Sequence, residues 1–537
     1  MDALIPQDTE MKGLSRWQGE NDSLAFDIAG TRRALLDLRS PVYIIEREGR
    51  LFTANSGRPN PNGLPLLAYL PPLPIEHLGD PSFMRDYHTR AAYYAGAMAN
   101  GISSVGFVLA MARQGWLASF GSGGLTPDEV TEAVQRVQQA QPEGPWLFNL
   151  LNNPFEPGIE SGVVDVYLRY GVRAIEASAY LTPSAALVRY RAAGLSLLPD
   201  GRISIANRVI AKLSRKEIAA KFLAPANARV LAQLVSEGAI SEQQAALAQQ
   251  VPLADDITVE ADSGGHTDHR PLLAALPAIL NQAWEARAKY GYTQIVRVGA
   301  AGGMGRPEAL WAAFAMGAAY VTTGSVNLAC VEAVTSDAVI ALLAQAESTD
   351  VTDAPAADMF ERGTRVQVLK RGTQFAQRGR QLYDLYTRYD RLEDIPAAER
   401  EALESTHFQR PLTQVWQETQ DFFARRDPRT LENARQDEKQ RMALVFRWYL
   451  GQASRWAIDG APGREQDYQV WCGPAMGAYN DWARGSDLES PHNRSAPDIA
   501  SRLMRGAAYF ARLSALKAAG IQLDPALRTC PPDVLSA

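Results

Sequence analysis

Between about residue 90 and residue 330 the sequence repeats one pattern eight times: a short apolar run, then a stretch with helical spacing. A parallel strand buried on both faces reads as a near-continuous apolar run, and the return to the next strand is usually a helix. The runs fall at residues 93–98, 116–120, 146–150, 172–176, 208–212, 257–261, 293–298 and 319–323. Eight βα units in about 240 residues match the count and size of a (β/α)8 TIM barrel. A doubly wound sheet would need fewer strands. Several intervening helices carry start signals. Thr126-Pro127 and Thr182-Pro183 set a capping hydroxyl before a proline at the first helical position. Ser214 and Glu217 have the spacing of a capping box. Gly194 and Gly317 stand where helices should stop.

The barrel accounts for residues 86–345 and leaves two flanking regions. Residues 1–85 read as a small module, with strands at 42–46 and 51–54 around a turn at Glu48-Gly49 and a Pro-rich connector at 71–74. An insertion at about 226–252 reads as a helical hairpin turning at Gly238. Residues 346–537 read as mainly helical, with amphipathic aromatic stretches at 382–389 and 442–450 and a final helix near 498–517.

Charge and cysteine usage exclude several function classes. A net charge of −6 offers no broad positive field for nucleic acid. Cys330, Cys472 and Cys530 are few, odd in number and far apart, which argues against a disulfide framework or thiolate metal site and for a reducing, cytoplasmic setting. The first twenty residues lack the apolar core of a signal peptide. No stretch approaches the ~20 apolar residues that span a bilayer. The expectation is a soluble protein without a membrane partner.

In such a barrel the chemistry sits at the C-terminal ends of the strands, and phosphate is held after strands seven and eight. Those two places are glycine-rich here, with Gly299 to Gly305 after the seventh run and Gly324-Ser325 after the eighth. Glycines let backbone amides approach a phosphate closely. After the first run, Ala97, Met98 and Asn100 provide small or flexible residues on which a flat ring can lie, and Asn149 ends the third. A phosphate site beside a flat-ring platform points to FMN, and no G-x-G-x-x-G opens a βα unit to support a Rossmann dinucleotide fold. Lys212 ends the fifth run, placed to stabilise charge on a reduced ring. The sixth runs into Gly264-Gly265-His266, where an imidazole can give or take a proton. Asp268 and His269 read as orienting that loop, and two close histidines without a third partner make a poor metal site, so none is expected. Cys330 lies past the eighth run, away from where a nucleophile would follow the sixth.

The runs ADSGGHTDHRP, GAAGGMGRPEAL and AYVTTGSVNLAC together resemble the PfaD-type enoyl reductases, which sit with FabK-type enoyl reductases and nitronate monooxygenases among FMN barrels. The likeness continues in AGAMANGISSVG, in ADMFERGTRVQVLKRGTQFAQRGRQLYDLY, and in FRWYLG and DYQVWCGPAMGAYNDW near the end. One departure is Val334, where a glycine is expected. The resemblance implies a trans-acting enoyl reductase of polyketide or polyunsaturated fatty acid biosynthesis. It would reduce the C2=C3 bond of an acyl-carrier-protein enoyl thioester with NADPH or NADH through FMN. It places His266 as the barrel histidine, with flavin phosphate on Gly302, Gly303, Gly324 and Ser325 and Gly264 and Gly265 beside the cofactor. Two alternatives stay open: a nitronate monooxygenase-like oxidoreductase using oxygen, and a non-catalytic docking scaffold for an assembly line. An acidic carrier would need a basic patch on this acidic chain, and Arg362, Arg365, Lys370 and Arg371 form the densest candidate.

Overall fold

A computed structural model describes residues 16–20, 23–154, 156–293 and 295–536. Most of the segment on which the signal-peptide expectation rests lies outside them, as does Gln294 within the seventh apolar run.

The eight runs form a closed parallel barrel. Its strands are β1 (Tyr93–Ala95), β2 (Leu117–Phe120), β3 (Trp146–Leu151), β4 (Ala174–Ser178), β5 (Arg208–Leu213), β6 (Asp256–Glu260), β7 (Arg297–Ala301) and β8 (Val321–Thr323). β8 returns to β1 with Val321 opposite Tyr93. The seventh strand lies later than the apolar run suggests, because Gly299, Ala300 and Ala301 belong to it rather than to the loop. Gly299 is needed there: a Cβ would come within 2.3 Å of the Tyr320 ring. Inside the barrel, Thr258 links the Tyr94 and Tyr320 hydroxyls at 3.1 and 2.9 Å. The bottom is tied by buried ion pairs. Arg297 forks onto Asp256 at 2.6 and 2.9 Å and reaches Asp86 at 2.8 Å, while Arg191 grips Asp255 at 2.7 Å. Charges at this end of a TIM barrel serve stability rather than chemistry.

Thr126 caps its helix with a complete capping box through Glu129. Two other start signals fail. Ser184, not Thr182, caps the helix Ala185–Ala193. The helix Lys216–Leu223 has no side-chain cap, because Arg215 rather than Ser214 occupies the cap position, and the Ser214 hydroxyl donates to Asp268. The insertion is the expected hairpin of Ala228–Ser236 and Glu242–Ala248, with Gly238 at φ 67°. A small antiparallel pair, Leu195–Leu197 with Ile203–Ile205, was not anticipated.

The N-terminal module is a five-stranded sheet. Val42–Arg47 and Arg50–Ala54 pair across Glu48 (φ 53°) and Gly49 (φ 71°), the positive-φ pair of a tight hairpin. Arg512, buried on the helix Ala496–Ala518, donates to the carbonyls of Leu35 and Asp37 at 2.9 Å and of Ser40 at 2.7 Å, fixing the module to the last helix. Beyond the barrel the chain is mainly helical, but it opens with a hairpin, Val351–Pro355 and Arg365–Leu369. That hairpin adds the two-residue strand Gly265–His266 as its third member. The helices Leu412–Arg426 and Glu438–Asp459 then roof the barrel mouth.

Candidate active site

One cavity of about 490 Å³ lies between the barrel's C-terminal face and this roof, within the range of small-molecule sites. Its walls include Ala97, Met98, Asn100, Asn149, Lys212, Gly264, Gly265, His266, Gly302, Gly303, Gly324 and Ser325, so loops from six strands converge as the sequence suggests. The glycine loops have room for a ligand. Gly303 (φ 73°) and Gly324 have no atom within 4 Å of where a Cβ would stand, and each precedes a helical N-terminus, at Pro307 and Ser325. Open space beside the glycines and the helix N-termini behind them fit a phosphate-bearing cofactor such as FMN. Asn149 is held by its amide to the Glu176 carbonyl and Ser178 hydroxyl, both at 2.9 Å. Asn100 stands at φ 57° and reaches the roof at Ser454 (3.3 Å).

His266 lies on the short strand, with Gly265 opposite Gln367 and His266 opposite Val366. Its Nε2 meets Asp358 Oδ1 at 3.1 Å. Burial alone would lower the imidazole pKa, but the Asp358 and Glu260 carboxylates outweigh it and hold it above the ordinary value. Burial pushes Asp358 up, the charge of His266 pulls it down, and the net value is lowered. With Nε2 engaged, Nδ1 is the nitrogen left to face a substrate. His269 bridges Asp262 (2.8 Å) and Asp353 (2.9 Å), and Asp268 pairs with Arg215, so both orient the loop as expected. The Gly264 amide is covered: a Cβ on Gly473 would fall 2.6 Å from it.

Lys212 reaches the cavity, but between two carboxylates, Glu176 and Glu260, each 3.3 Å from Nζ. Burial opposes its charge, and Glu260 and Glu176 more than restore it, so the ammonium is held well above its usual pKa. Glu176 is fully buried in the middle of β4 and also accepts from the Ala97 amide at 2.9 Å, linking Lys212 to the Ala97–Asn100 segment.

Sequence reasoning missed Glu176, Glu260 and Asp358, and the whole roof. A lone glutamate among the apolar residues of β4 was a signal for the first; Asp358 meets His266 only through strand pairing about ninety residues away. Trp448 and Gln452 line the cavity from above, and Arg426 forks onto Glu156 at 2.7 and 3.4 Å. The basic segment is partly consumed internally. Arg371 binds Asp350 at 2.6 Å and Arg378 pairs with buried Asp467, while Arg362, Arg365 and Lys370 are exposed. Arg362 and Arg365 flank the hairpin turn close to the cavity residues Asp358 and Val366. Val334 is exposed and has no positive φ, so this loop does not require glycine.

Family models match three successive segments. The N-terminal domain of the fatty acid synthase protein PfaD matches residues 17–72, nitronate monooxygenase residues 82–384, and the inserted helical domain of acyl-carrier-protein S-malonyltransferase residues 389–468. The chain is 43% identical over 527 residues to a polyunsaturated fatty acid synthase subunit of Thraustochytrium sp., covering 96% of this chain and 35% of that protein. It is 43% identical over 430 residues to the polyketide biosynthesis protein PksE of Bacillus subtilis, covering 80% of this chain and 56% of that protein. The chain thus spans only part of these relatives. Among solved structures, the enoyl reductase domain of MlnA from the macrolactin biosynthesis cluster of Bacillus amyloliquefaciens matches with a TM-score of 0.78 at 36% identity, over 82% of this chain and 100% of that one.

Proposed function

The chain belongs to the PfaD-type enoyl reductases, relatives of the nitronate monooxygenases, and we propose that it reduces the C2=C3 bond of an enoyl thioester on an acyl carrier protein. NADPH or NADH is the hydride source, and a polyketide or fatty acid synthase supplies the carrier. One observation carries this reading: the two glycine loops, the Ala97–Asn100 platform and an Asp358-backed His266 share one roofed cavity. Bound there, FMN would supply the two-electron carrier that takes hydride from a nicotinamide and returns it to the β-carbon.

The protein's own groups do the rest. The loops at Gly302-Gly303 and Gly324-Ser325 would hold the phosphate end, and the Ala97 to Asn100 segment would support the ring. Lys212 fixes the spacing of Glu176 and Glu260 in the same cavity. The roof helices exclude water, which strengthens every polar contact inside. His266, whose affinity for a proton Asp358 raises, would supply one from Nδ1 to the α-carbon as charge develops on the thioester.

The test is anaerobic. Protein reduced with NADPH should regain its flavin colour when an enoyl thioester is added without oxygen. Colour that returns only on admitting air would sink this reading in favour of the oxygen-using alternative. No flavin reduction at all would favour the scaffold.

A further inference from the structure

The basic side chains on the cavity wall are engaged by the protein itself, with one exception. Lys212 lies between Glu176 and Glu260, Arg426 on Glu156, Arg447 on Glu361 at 3.1 Å, and His266 on Asp358. Arg455 is the exception. It lines the cavity from the roof helix Glu438–Asp459 and is exposed; among the described residues its side chain makes no hydrogen bond or ion pair, not even with Asp459 one turn on. The Gln452 amide, one turn earlier on the same face, is likewise without a partner there. In a chain of net charge −6, an arginine held open at a cavity rim points to an anion from outside. Gly451 marks the gap beside these two donors. Glycine weakens a helix interior relative to alanine, and no neighbour requires it here: no atom lies within 4 Å of where its Cβ would stand. The same turn is seated on the barrel by Asn100, whose side-chain amide donates to Ser454 at 3.3 Å and whose backbone amide donates to the Gly123 carbonyl at 2.7 Å. Gly124 and Gly451 both line the cavity and are both exposed, so a stretch of rim poor in side chains opens beside Arg455. It lies over the loops after β1 and β2, whereas the glycine loops suited to the cofactor phosphate follow β7 and β8.

We propose that ligands enter through this gap and that Arg455, with Gln452, seats a phosphate they carry outside the reacting centre. The inference rests on the enoyl-reductase reading, whose two visiting ligands both bear such a group: the phosphodiester of a pantetheine arm and the phosphates of a nicotinamide dinucleotide. The arm is the expected occupant. Its phosphate is joined to the carrier, so it stays at the rim, where Arg455 stands.

The experiment follows both half-reactions by flavin absorbance without oxygen: reduction by NADPH, then reoxidation by crotonyl-pantetheine or by the same thioester bearing its terminal phosphate. In the parent protein the phosphate should lower the half-saturating concentration by up to about fivefold, an advantage that fades with added salt. Arg455→Gln should erase that advantage, bringing the two probes level, and Arg455→Lys should keep part of it. Gly451→Met, which fills the gap, should raise the half-saturating concentration for both probes while the unfolding temperature does not fall. If Arg455→Gln weakens NADPH alone, the phosphate seat stands and its occupant is the dinucleotide. The seat is overturned if the phosphate brings no advantage in the parent and Arg455→Gln leaves NADPH saturation as it was. It is overturned as well if Arg455→Gln loses equally on both probes, or if it releases the flavin, which would assign the arginine to the cofactor. Gly451→Met with parental saturation by both probes and by NADPH would remove the passage. A parent that NADPH reduces but neither probe reoxidises sinks the enoyl-reductase reading, and the seat is then decided by the NADPH arm.

Discussion

The pairing of His266 with Asp358 gives the site a definite pH response. The imidazole pKa is raised, so the pair's contribution from His266 is full below the ordinary value near 6.5 and fades as pH climbs through the raised one. Asp358 is lowered, so its contribution is present above the usual carboxylate range and is lost only as pH falls through the depressed value. Enoyl reduction should therefore decline on the alkaline side as His266 gives up its proton. Asp358→Asn should move that decline to lower pH while flavin reduction by NADPH keeps its own profile; an unmoved profile would detach Asp358 from the acid. His266→Ala should retain flavin and slow only the enoyl half-reaction, by ~10²–10⁴. Stopped-flow traces in which both half-reactions slow together would make His266 structural. Lys212→Met leaves Glu176 and Glu260 facing each other without their cation, a change of the kind that costs about 3–5 kcal/mol. A lower unfolding temperature and weaker flavin binding are expected, and neither changing would place Lys212 outside the site. Lys212 was legible in the sequence because it ends an apolar run, and His266 because it follows one through a Gly-Gly pair. Their partners were not, since Asp358 and Glu176 reach them only through tertiary contacts.

At the scale of elements, the barrel strands were legible because burial on both faces leaves an unbroken apolar signature. β7 was placed too early because glycine and alanine look like loop until Tyr320 is seen lying over Gly299. The missed caps are one- or two-residue slips: Ser214 has the spacing of a capping box, but the helix starts one residue later with Arg215 at the cap, and Ser184 rather than Thr182 caps its helix. The hairpin Val351–Pro355 and Arg365–Leu369 was read as part of a helical region. It carries the exposed cations Arg365 and, at its end, Lys370. Reversing both to Glu should raise KM for a carrier-bound substrate, steeply at low salt, and barely affect a pantetheine thioester. Equal losses on both substrates would make the hairpin a structural support and move the docking surface elsewhere. The segment from Trp471 to Gly477 fits by backbone contact, with a Cβ on Gly477 falling 1.9 Å from the Ser348 amide. Gly477→Ala should accordingly lower the unfolding temperature, whereas a stability like the parent's would show that the segment yields without cost.

For the molecule as a whole, the glycine loops and the Ala97–Asn100 segment in one cavity make a mononucleotide flavin the proposed cofactor. Heat should release FMN from the protein, and finding FAD by chromatography would contradict the site. The closed barrel was readable in advance, but the C-terminal region's part in the cavity was not, because no local pattern marks a helix as a roof. The three-stranded sheet that joins Gly265–His266 to the later hairpin has a consequence for synthesis. Strand eight leaves the ribosome before the hairpin does, so a nascent barrel has its histidine loop without the edge that seats it and without Asp358. Domains generally fold as units in the order they emerge. The barrel would then have to wait, mouth open, until the distal half of the chain arrives. A product that stopped short of residue 358 would carry the His266 loop without the carboxylate it pairs with and without the strand that seats it.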